Sequence, residues 1–200
     1  MSVIDKPLTT MGLSMSETAQ QKAIQFLRCL EKWNRAYNLT AIRQFDQMIT
    51  YHLLDSLSVA PYLQGQNILD VGTGAGFPGI PLALYFPEKQ FTLLDSNGKK
   101  TRFLLQVVAE LAIKNVRIVQ MRVEDYHTPQ CFDVIIFRAV KSILEVISKS
   151  QHLCCKKGQF LAMKAAYPAE ELQKMTNPFT VRALTVPGLN AERHLIIVEG

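Results

Sequence analysis

The sequence predicts an α/β fold, with one mostly parallel sheet that ends in an antiparallel hairpin and a helical extension in front. In the first part of the chain, apolar residues recur at steps of three and four, which is the helical period. After Gly65, short β-rich segments alternate with segments of helix length, as in βαβ units. The last two β-rich segments are joined by the turn-like stretch PGLNAE, so we expect them to pair antiparallel.

The helical extension is predicted to span residues 1–64. Its main helix runs from Ser16, a suitable N-cap residue, to Tyr37. A shorter helix follows and ends near Pro61. The sheet domain is predicted to span residues 65–200. Its seven strands are expected at 67–71, 90–94, 116–120, 133–137, 159–164, 179–186 and 194–198.

Length and composition limit the classes of protein that fit. The 200 residues suffice for one domain with an appendage. No apolar run reaches the roughly 20 residues of a membrane helix, and the first residues lack the pattern of a secretion signal. We therefore expect a cytoplasmic protein without a membrane partner. The net charge of +5 is compatible with a polyanionic partner but indicates one only weakly.

The cysteines and histidines do not form any metal-binding pattern. Cys154 and Cys155 are adjacent, whereas Cys29 and Cys131 stand alone without a C-x-x-C partner. We therefore expect neither a zinc site nor a disulfide framework. The four histidines are isolated and lack H-E-x-x-H spacing, so no metal is expected.

A glycine-rich loop, DVGTGAGFPG at 70–79, directly follows the first predicted strand and leads into a helical segment. Glycines at this place let a ligand approach the backbone closely, which makes Gly72, Gly74 and Gly76 candidate cofactor contacts. The glycines also fit G-x-G-x-x-G, so this loop alone is compatible with both a dinucleotide and S-adenosylmethionine (SAM).

Acidic residues follow the next two strands. Asp95 ends the second strand, where a carboxylate can accept hydrogen bonds from ribose hydroxyls. Glu124 follows the third strand, where an adenine edge would lie. Few residues remain for the separate substrate domain that most dehydrogenases carry, and a nicotinamide-binding sheet is normally parallel to its end. Both observations favour SAM over NAD and a Rossmann-like sheet of the class I SAM-dependent methyltransferase type.

The chain resembles the bacterial 16S ribosomal RNA guanine-N7 methyltransferases, also called the glucose-inhibited division protein B family, over nearly its whole length. The resemblance is carried by KWNRAYNLT at 32–40, HLLDS at 52–56, the loop at 70–81, LLDS at 93–96, RVE at 122–124, FRA at 137–139 and ERHL at 192–195. Several independent motifs in the same order make a chance match improbable.

The resemblance implies transfer of the SAM methyl group to N7 of a guanosine in 16S ribosomal RNA of the small ribosomal subunit. The partner would be this RNA or the small-subunit particle, and we expect a monomer. The resemblance also implies SAM contacts at Gly72, Phe77, Val123, Glu124 and Arg138.

Four residues are candidates for the catalytic site. Arg138 ends the fourth strand at the carboxyl edge of the sheet, where open α/β folds bind ligands. His52 and Asp55 are a helical turn apart and would share one face. Their functional role, like that of Asn38 after the front helix, rests on the resemblance.

Basic residues at the same edge are candidates for RNA contact. Lys164 ends the fifth strand, and Arg193 and His194 open the last one, where all three could meet phosphate. Two other classes of protein remain open from the residues alone. They are a non-catalytic RNA-binding module that retains a nucleoside pocket, and an NAD-dependent oxidoreductase.

Overall fold

The computed structural model describes residues 2–200 and contains one seven-stranded sheet in the order β3-β2-β1-β4-β5-β7-β6. The strands are β1 (Asn67–Val71), β2 (Gln90–Asp95), β3 (Val116–Gln120), β4 (Phe132–Arg138), β5 (Cys154–Lys164), β6 (Phe179–Ala183) and β7 (His194–Glu199). The first five are parallel, and β7 is antiparallel to both β5 and β6. The predicted α/β sheet with its antiparallel hairpin is confirmed, although β5 begins five residues earlier and β6 ends three residues earlier than predicted.

Helices cover both faces of the sheet. They are α1 (Asp5–Thr10), α2 (Glu17–Tyr37), α3 (Phe45–Met48), α4 (Asp55–Leu57), α5 (Gly79–Tyr85), α6 (Gly98–Glu110), α7 (Ile143–Ser150) and α8 (Ala169–Leu172). A π-helical segment, Ile49–Leu54, joins α3 to α4. The predicted N-cap of α2 is present, because the Ser16 hydroxyl accepts a hydrogen bond from the Ala19 N–H. No helix within residues 2–200 has the length and apolar character needed to cross a bilayer.

The front helices pack directly on one face of the sheet. Phe26 of α2 lies with its ring centroid 5.1 Å from that of Phe77 and 6.2 Å from that of Phe103 on α6. All three rings are buried in one apolar cluster that also contains residues of β1 and β2. The extension and the sheet therefore share a core, and the predicted division between residues 64 and 65 stays a prediction.

The order of the strands creates a crevice at the carboxyl ends of β1 and β4. These strands are neighbours in the sheet, but the helices that follow them lie on opposite faces. Ile80 of α5 belongs to the apolar cluster on one face, and Ile143 of α7 belongs to the cluster on the other. The two connections diverge, which is the arrangement that opens a ligand site in α/β sheets.

One prediction about the cysteines was wrong. Cys131 and Cys155 form a disulfide, with their Cα atoms 5.1 Å apart. Their separation of 24 residues shows no recognisable spacing. They meet because β4 pairs with β5, which puts Phe132 opposite Cys154. The bridge lies at the amino end of β4, away from the crevice.

Candidate active site

The loop after β1 has a backbone that only glycine adopts easily. Gly72, Gly74 and Gly76 have φ angles of +67°, +63° and +97°, in the left-handed region that L side chains avoid. A Cβ atom on Gly72 would meet no atom within 4 Å, whereas one on Gly76 would lie 2.7 Å from Leu104 Cδ2. Gly72 thus leaves the loop surface open to a ligand, and Gly76 is required by packing.

Asp95, buried at the end of β2, fixes this loop. Its Oδ2 accepts a hydrogen bond from the Gly74 N–H at 2.9 Å, and its Oδ1 accepts one from the Asn97 N–H at 2.8 Å. The Lys100 ammonium lies 4.0 Å from Oδ2. The carboxylate therefore joins the glycine loop to the start of α6.

A first cavity, of about 370 Å³, opens beside the loop and is called the glycine-loop cavity. It is lined by four of the predicted cofactor residues: Gly72, Asp95, Val123 and Glu124. The other four predicted cofactor residues are not part of its lining: Gly74, Gly76, Phe77 and Arg138. Its opposite wall comes from the segment 140–149, which contains α7.

Asp70 was not singled out from the sequence, although it stands directly before the loop glycines in DVGTG. Its Oδ2 accepts hydrogen bonds from the Thr73 hydroxyl at 2.6 Å and the Gly79 N–H at 2.8 Å. Its Oδ1 has no hydrogen-bond partner among residues 2–200. Burial raises the pKa of Asp70 to about 6, although the Thr73 and Gly79 hydrogen bonds act in the opposite direction. A buried carboxylate oxygen without a partner fits a cationic ligand at the loop.

A second cavity, of about 560 Å³, lies beyond the carboxyl ends of β4 and β5 and is called the arginine cavity. It is lined by five of the predicted catalytic and RNA-binding residues: His52, Asp55, Arg138, Lys164 and Arg193. Tyr51 and the segment 40–42 complete much of its front wall. Two other predicted residues, Asn38 and His194, are not part of this lining.

Asn38 and His194 have other contacts. Asn38 caps α2 in the left-handed conformation, and its Oδ1 accepts a hydrogen bond from Arg43 Nη2 at 2.8 Å. His194 packs edge-on against Tyr167, with the ring centroids 5.5 Å apart.

Asp55 connects two arginines across the arginine cavity. Its Oδ2 accepts a hydrogen bond from Arg138 Nη1 at 3.1 Å, and its Oδ1 accepts one from Arg193 Nε at 2.7 Å. Arg138 Nη1 also donates to the Tyr51 carbonyl at 3.2 Å. The Asp55 side chain is only 3% exposed, so these arginines balance its buried charge.

His52 is held as a neutral ring. It stacks on Phe77 with the centroids 4.5 Å apart, and the Arg138 guanidinium lies 5.4 Å from the centre of the same Phe77 ring. Burial and the Arg138 charge lower the pKa of His52 to about 4. The ring nitrogens lie 3.2 Å from the Tyr51 carbonyl and 2.9 Å from the Thr40 hydroxyl. We infer that Nδ1–H donates to Tyr51 and that Nε2 accepts from Thr40.

The two cavities meet at Val140, which contributes to both. Lys164 contacts this residue: its ammonium donates a hydrogen bond to the Val140 carbonyl at 3.2 Å and forms an ion pair with Glu171 at 2.8 Å. Val140 therefore forms part of the boundary between the two cavities. Within residues 2–200, no cluster of three or more His, Cys, Asp or Glu side chains could hold a metal ion.

Comparison with solved structures places the fold in a known class. A methyltransferase from Geobacter sulfurreducens superposes with a TM-score of 0.64 at 13% identity and covers 88% of this chain and 90% of its own. An rRNA methylase from Streptococcus thermophilus superposes with a TM-score of 0.52 at 16% identity and covers 73% and 93%. The fold is that of the class I SAM-dependent methyltransferases.

Sequence comparison identifies the family within that class. The model of the family described as rRNA small subunit methyltransferase G matches residues 19–196. A relative of that name from Coxiella burnetii is 54% identical over 94% of this chain and 93% of its own length. Another from Marinomonas sp. is 49% identical over 98% and 95%. The chain belongs to the rRNA small subunit methyltransferase G family, and its resemblance to that family is confirmed.

Proposed function

We propose that the protein transfers the methyl group of SAM to N7 of a guanosine in 16S ribosomal RNA, acting as a cytoplasmic monomer on the RNA or on the small-subunit particle. Family membership supports this activity. The observation that carries it is the meeting of two unlike cavities at Val140. One is built around a glycine loop and the other around arginines.

The glycine-loop cavity fits SAM by the chemistry of its walls. Gly72 leaves room for the cofactor beside the backbone, and Asp95 stands where ribose hydroxyls can donate to a carboxylate. Val123 and Glu124 provide a wall for the adenine. Asp70 does not line this cavity, but its free Oδ1 stands at the start of the glycine loop and suits a cationic group. When bound, SAM supplies a methyl group activated by its attachment to a sulfonium.

The arginine cavity has to hold the guanine but does not have to deprotonate it. N7 of guanine has an in-plane lone pair and carries no proton, so no general base is required. His52 fits this requirement, because its lowered pKa leaves it neutral at physiological pH. The remaining task is to orient the base, an effect that contributes up to ~7–11 kcal/mol in favourable cases.

The individual residue roles are part of the proposal. Asn38, at the end of α2, and His52 would orient the target nucleotide from the front extension. Lys164, Arg193 and His194 would contact RNA phosphates from the sheet edge. Arg138 lines the arginine cavity and stands two residues before Val140, which lines both cavities.

The decisive experiment maps N7-methylated guanosines in 16S RNA from cells with and without the gene for this chain. We expect one methylated position to disappear on deletion and to return when purified protein and SAM are added. An unchanged methylation pattern would contradict the substrate assignment. Calorimetry separates the alternatives: SAM binding without methyl transfer indicates a binding module, and tighter binding of NAD than of SAM indicates an oxidoreductase.

A further inference from the structure

Asp55 joins three parts of the chain that are far apart in sequence. It stands on α4 in the front extension, 83 positions before Arg138 at the end of β4 and 138 positions before Arg193, which directly precedes β7. One carboxylate oxygen accepts from each arginine. Both oxygens are therefore already engaged inside the protein, and because the side chain is only 3% exposed, little of the carboxylate is open to guanine.

The arginines keep donors for a ligand. Arg193 uses Nε on Asp55 and Nη1 on the Glu192 carbonyl, and Arg138 uses Nη1 on Asp55 and the Tyr51 carbonyl. Within residues 2–200, neither Nη2 group has a hydrogen-bond partner. The side chains of Arg138 and Arg193 are 20% and 15% exposed and line the arginine cavity. Each guanidinium is thus fixed on one edge and open on another.

The combined charge of Asp55, Arg138 and Arg193 suits the binding of a single anion. Asp55 neutralises only one of its two arginines, whereas the neighbouring Lys164 is paired with Glu171. A net charge of +1 remains in the cavity. The fixed, planar donors of arginine match phosphate oxygens well.

The chemistry of the methylated base decides which anion the arginines hold. Arginine commonly binds guanine through O6 and N7 together. Such a contact would occupy the N7 lone pair that must accept the methyl group. Arginines placed in this cavity therefore serve the reaction only if they bind the nucleotide away from N7, and its phosphate is the group that matches them.

We propose that Asp55 is a positioning residue that holds Arg138 and Arg193 side by side as a receptor for a phosphate group next to the target guanosine. This inference rests on the proposed function. Asp55 then acts through the arginines and does not itself contact the guanine.

The first test replaces Asp55 with asparagine, because the change in net charge alone and the proposal predict opposite changes in RNA affinity. Removing a negative charge from an RNA-binding cavity should strengthen RNA binding. Under the proposal it weakens binding, because an amide has one acceptor oxygen and its NH2 group faces the second arginine. Asp46→Asn is the matched control. Asp46 is exposed on α3 of the same extension, and this substitution removes the same negative charge.

We expect Asp55→Asn to raise the KM for RNA about tenfold, the scale of a lost charged hydrogen bond, while kcat and SAM affinity change less than about threefold. The plot of log affinity for RNA against log salt should become shallower by about one unit. Asp46→Asn should leave both RNA measures near those of the unchanged protein or strengthen binding slightly.

A double-mutant cycle with Arg193→Gln tests whether Asp55 acts through the arginine. If it does, Asp55→Asn adds little to the loss that Arg193→Gln causes alone. Arg193→Gln also serves if Asp55→Asn fails to fold, because it leaves the bond between Asp55 and Arg138 in place. It too should raise the KM for RNA about tenfold and make the salt dependence shallower by about one unit.

Several outcomes would overturn the inference. RNA affinity that rises as in Asp46→Asn would show that Asp55 contributes only its charge. A fall in kcat with unchanged KM, additive with Arg193→Gln, would indicate direct contact with guanine. A selective loss of SAM affinity would show that the arginines hold the cofactor carboxylate instead. Failure of the unchanged protein to methylate ribosomal RNA would instead contradict the proposed function.

Discussion

The two cavities are built in different ways. The glycine loop is held by contacts that span between 2 and 21 positions, those of Asp70 with Thr73 and Gly79 and those of Asp95 with Gly74 and Asn97. The arginine cavity depends on contacts that cross most of the chain, above all those of Asp55. The first can therefore be recognised as a motif, whereas the second exists only when the extension, β4 and β7 come together.

The cavities also differ in charge. The charged side chains that line the glycine-loop cavity balance, with three acidic and three basic residues, whereas the arginine cavity holds two arginines for one aspartate. An anionic substrate is thereby favoured on the arginine side of Val140. Variants should separate the two binding events.

The largest expected effect is on the cofactor side. Gly74→Val should weaken SAM binding by about 100-fold, or about 2.8 kcal/mol, because it would disturb the Gly74 bond to Asp95 and with it Gly72 and Asp95 in the cavity wall. A β-branched residue is strained at a φ of +63° and would restrict the loop. Isothermal titration measures the loss. Gly12→Val is the matched control, because Gly12 has a φ of +69°, lies in an exposed turn and has open space around its Cβ position. Equal SAM affinity in both variants would remove the loop from the cofactor site.

Asp70→Asn should weaken SAM binding by roughly 10- to 100-fold, the scale of a lost charged hydrogen bond, yet stabilise the ligand-free protein. Burial raises the folded-state pKa of Asp70 from 3.8 to about 6. Its favourable contribution to folding is therefore present below pH 3.8 and lost as the pH rises through 6. Asparagine avoids the cost of the buried charge, about 1–3 kcal/mol at pH 8. Denaturant unfolding at pH 8 measures this gain.

The same residue should make SAM binding depend on pH. Below about pH 6 the Asp70 carboxyl is protonated, and the protein then binds a cationic ligand more weakly. SAM binding should therefore weaken below pH 6 in the unchanged protein and stay flat in Asp70→Asn. A pH-dependent loss that persists unchanged in the variant would assign the titration to another group.

A moderate effect is expected from salt, which should weaken RNA binding much more than SAM binding. Three phosphate contacts to single-stranded RNA correspond to a loss of RNA affinity of about 20-fold between 50 and 200 mM salt. SAM binding should change less than about twofold, because the cofactor releases few counterions. Fluorescence titration of both ligands in the same buffers measures the difference. Equal salt dependence would mean that the arginine cavity does not face RNA.

The smallest expected effect concerns pH and the chemical step. Single-turnover methylation at saturating SAM and RNA should be nearly flat between about pH 6 and 9, since His52 has a pKa of about 4 and stays neutral there. Quenched-flow measurements with labelled SAM report this rate. A steep rise through one pKa that His52→Gln abolishes, with both ligands still bound, would show that a base is required.

Much of the fold could be predicted from the sequence, because it depends on local periodicity. The strands up to β4 and the helix beginning at Ser16 were predicted to within a residue or so. The bridge between Cys131 and Cys155 could not be predicted, since it depends on which strands become neighbours. The two hydrogen bonds of Asp55 were missed for the same reason, although Asp55 itself was singled out.

The π-helical segment Ile49–Leu54 has a consequence for how this chain can change by mutation. A π turn accommodates one residue more than an α turn. Deleting one residue there would let the segment close as an ordinary α-helix, and Asp55 would keep its direction relative to the residues before the deletion, because the π turn had already absorbed the extra residue. A deletion inside a regular α-helix such as α2 would instead turn all later residues by about 100°. Descendants of this gene should therefore tolerate a lost codon in this segment more readily than in α2.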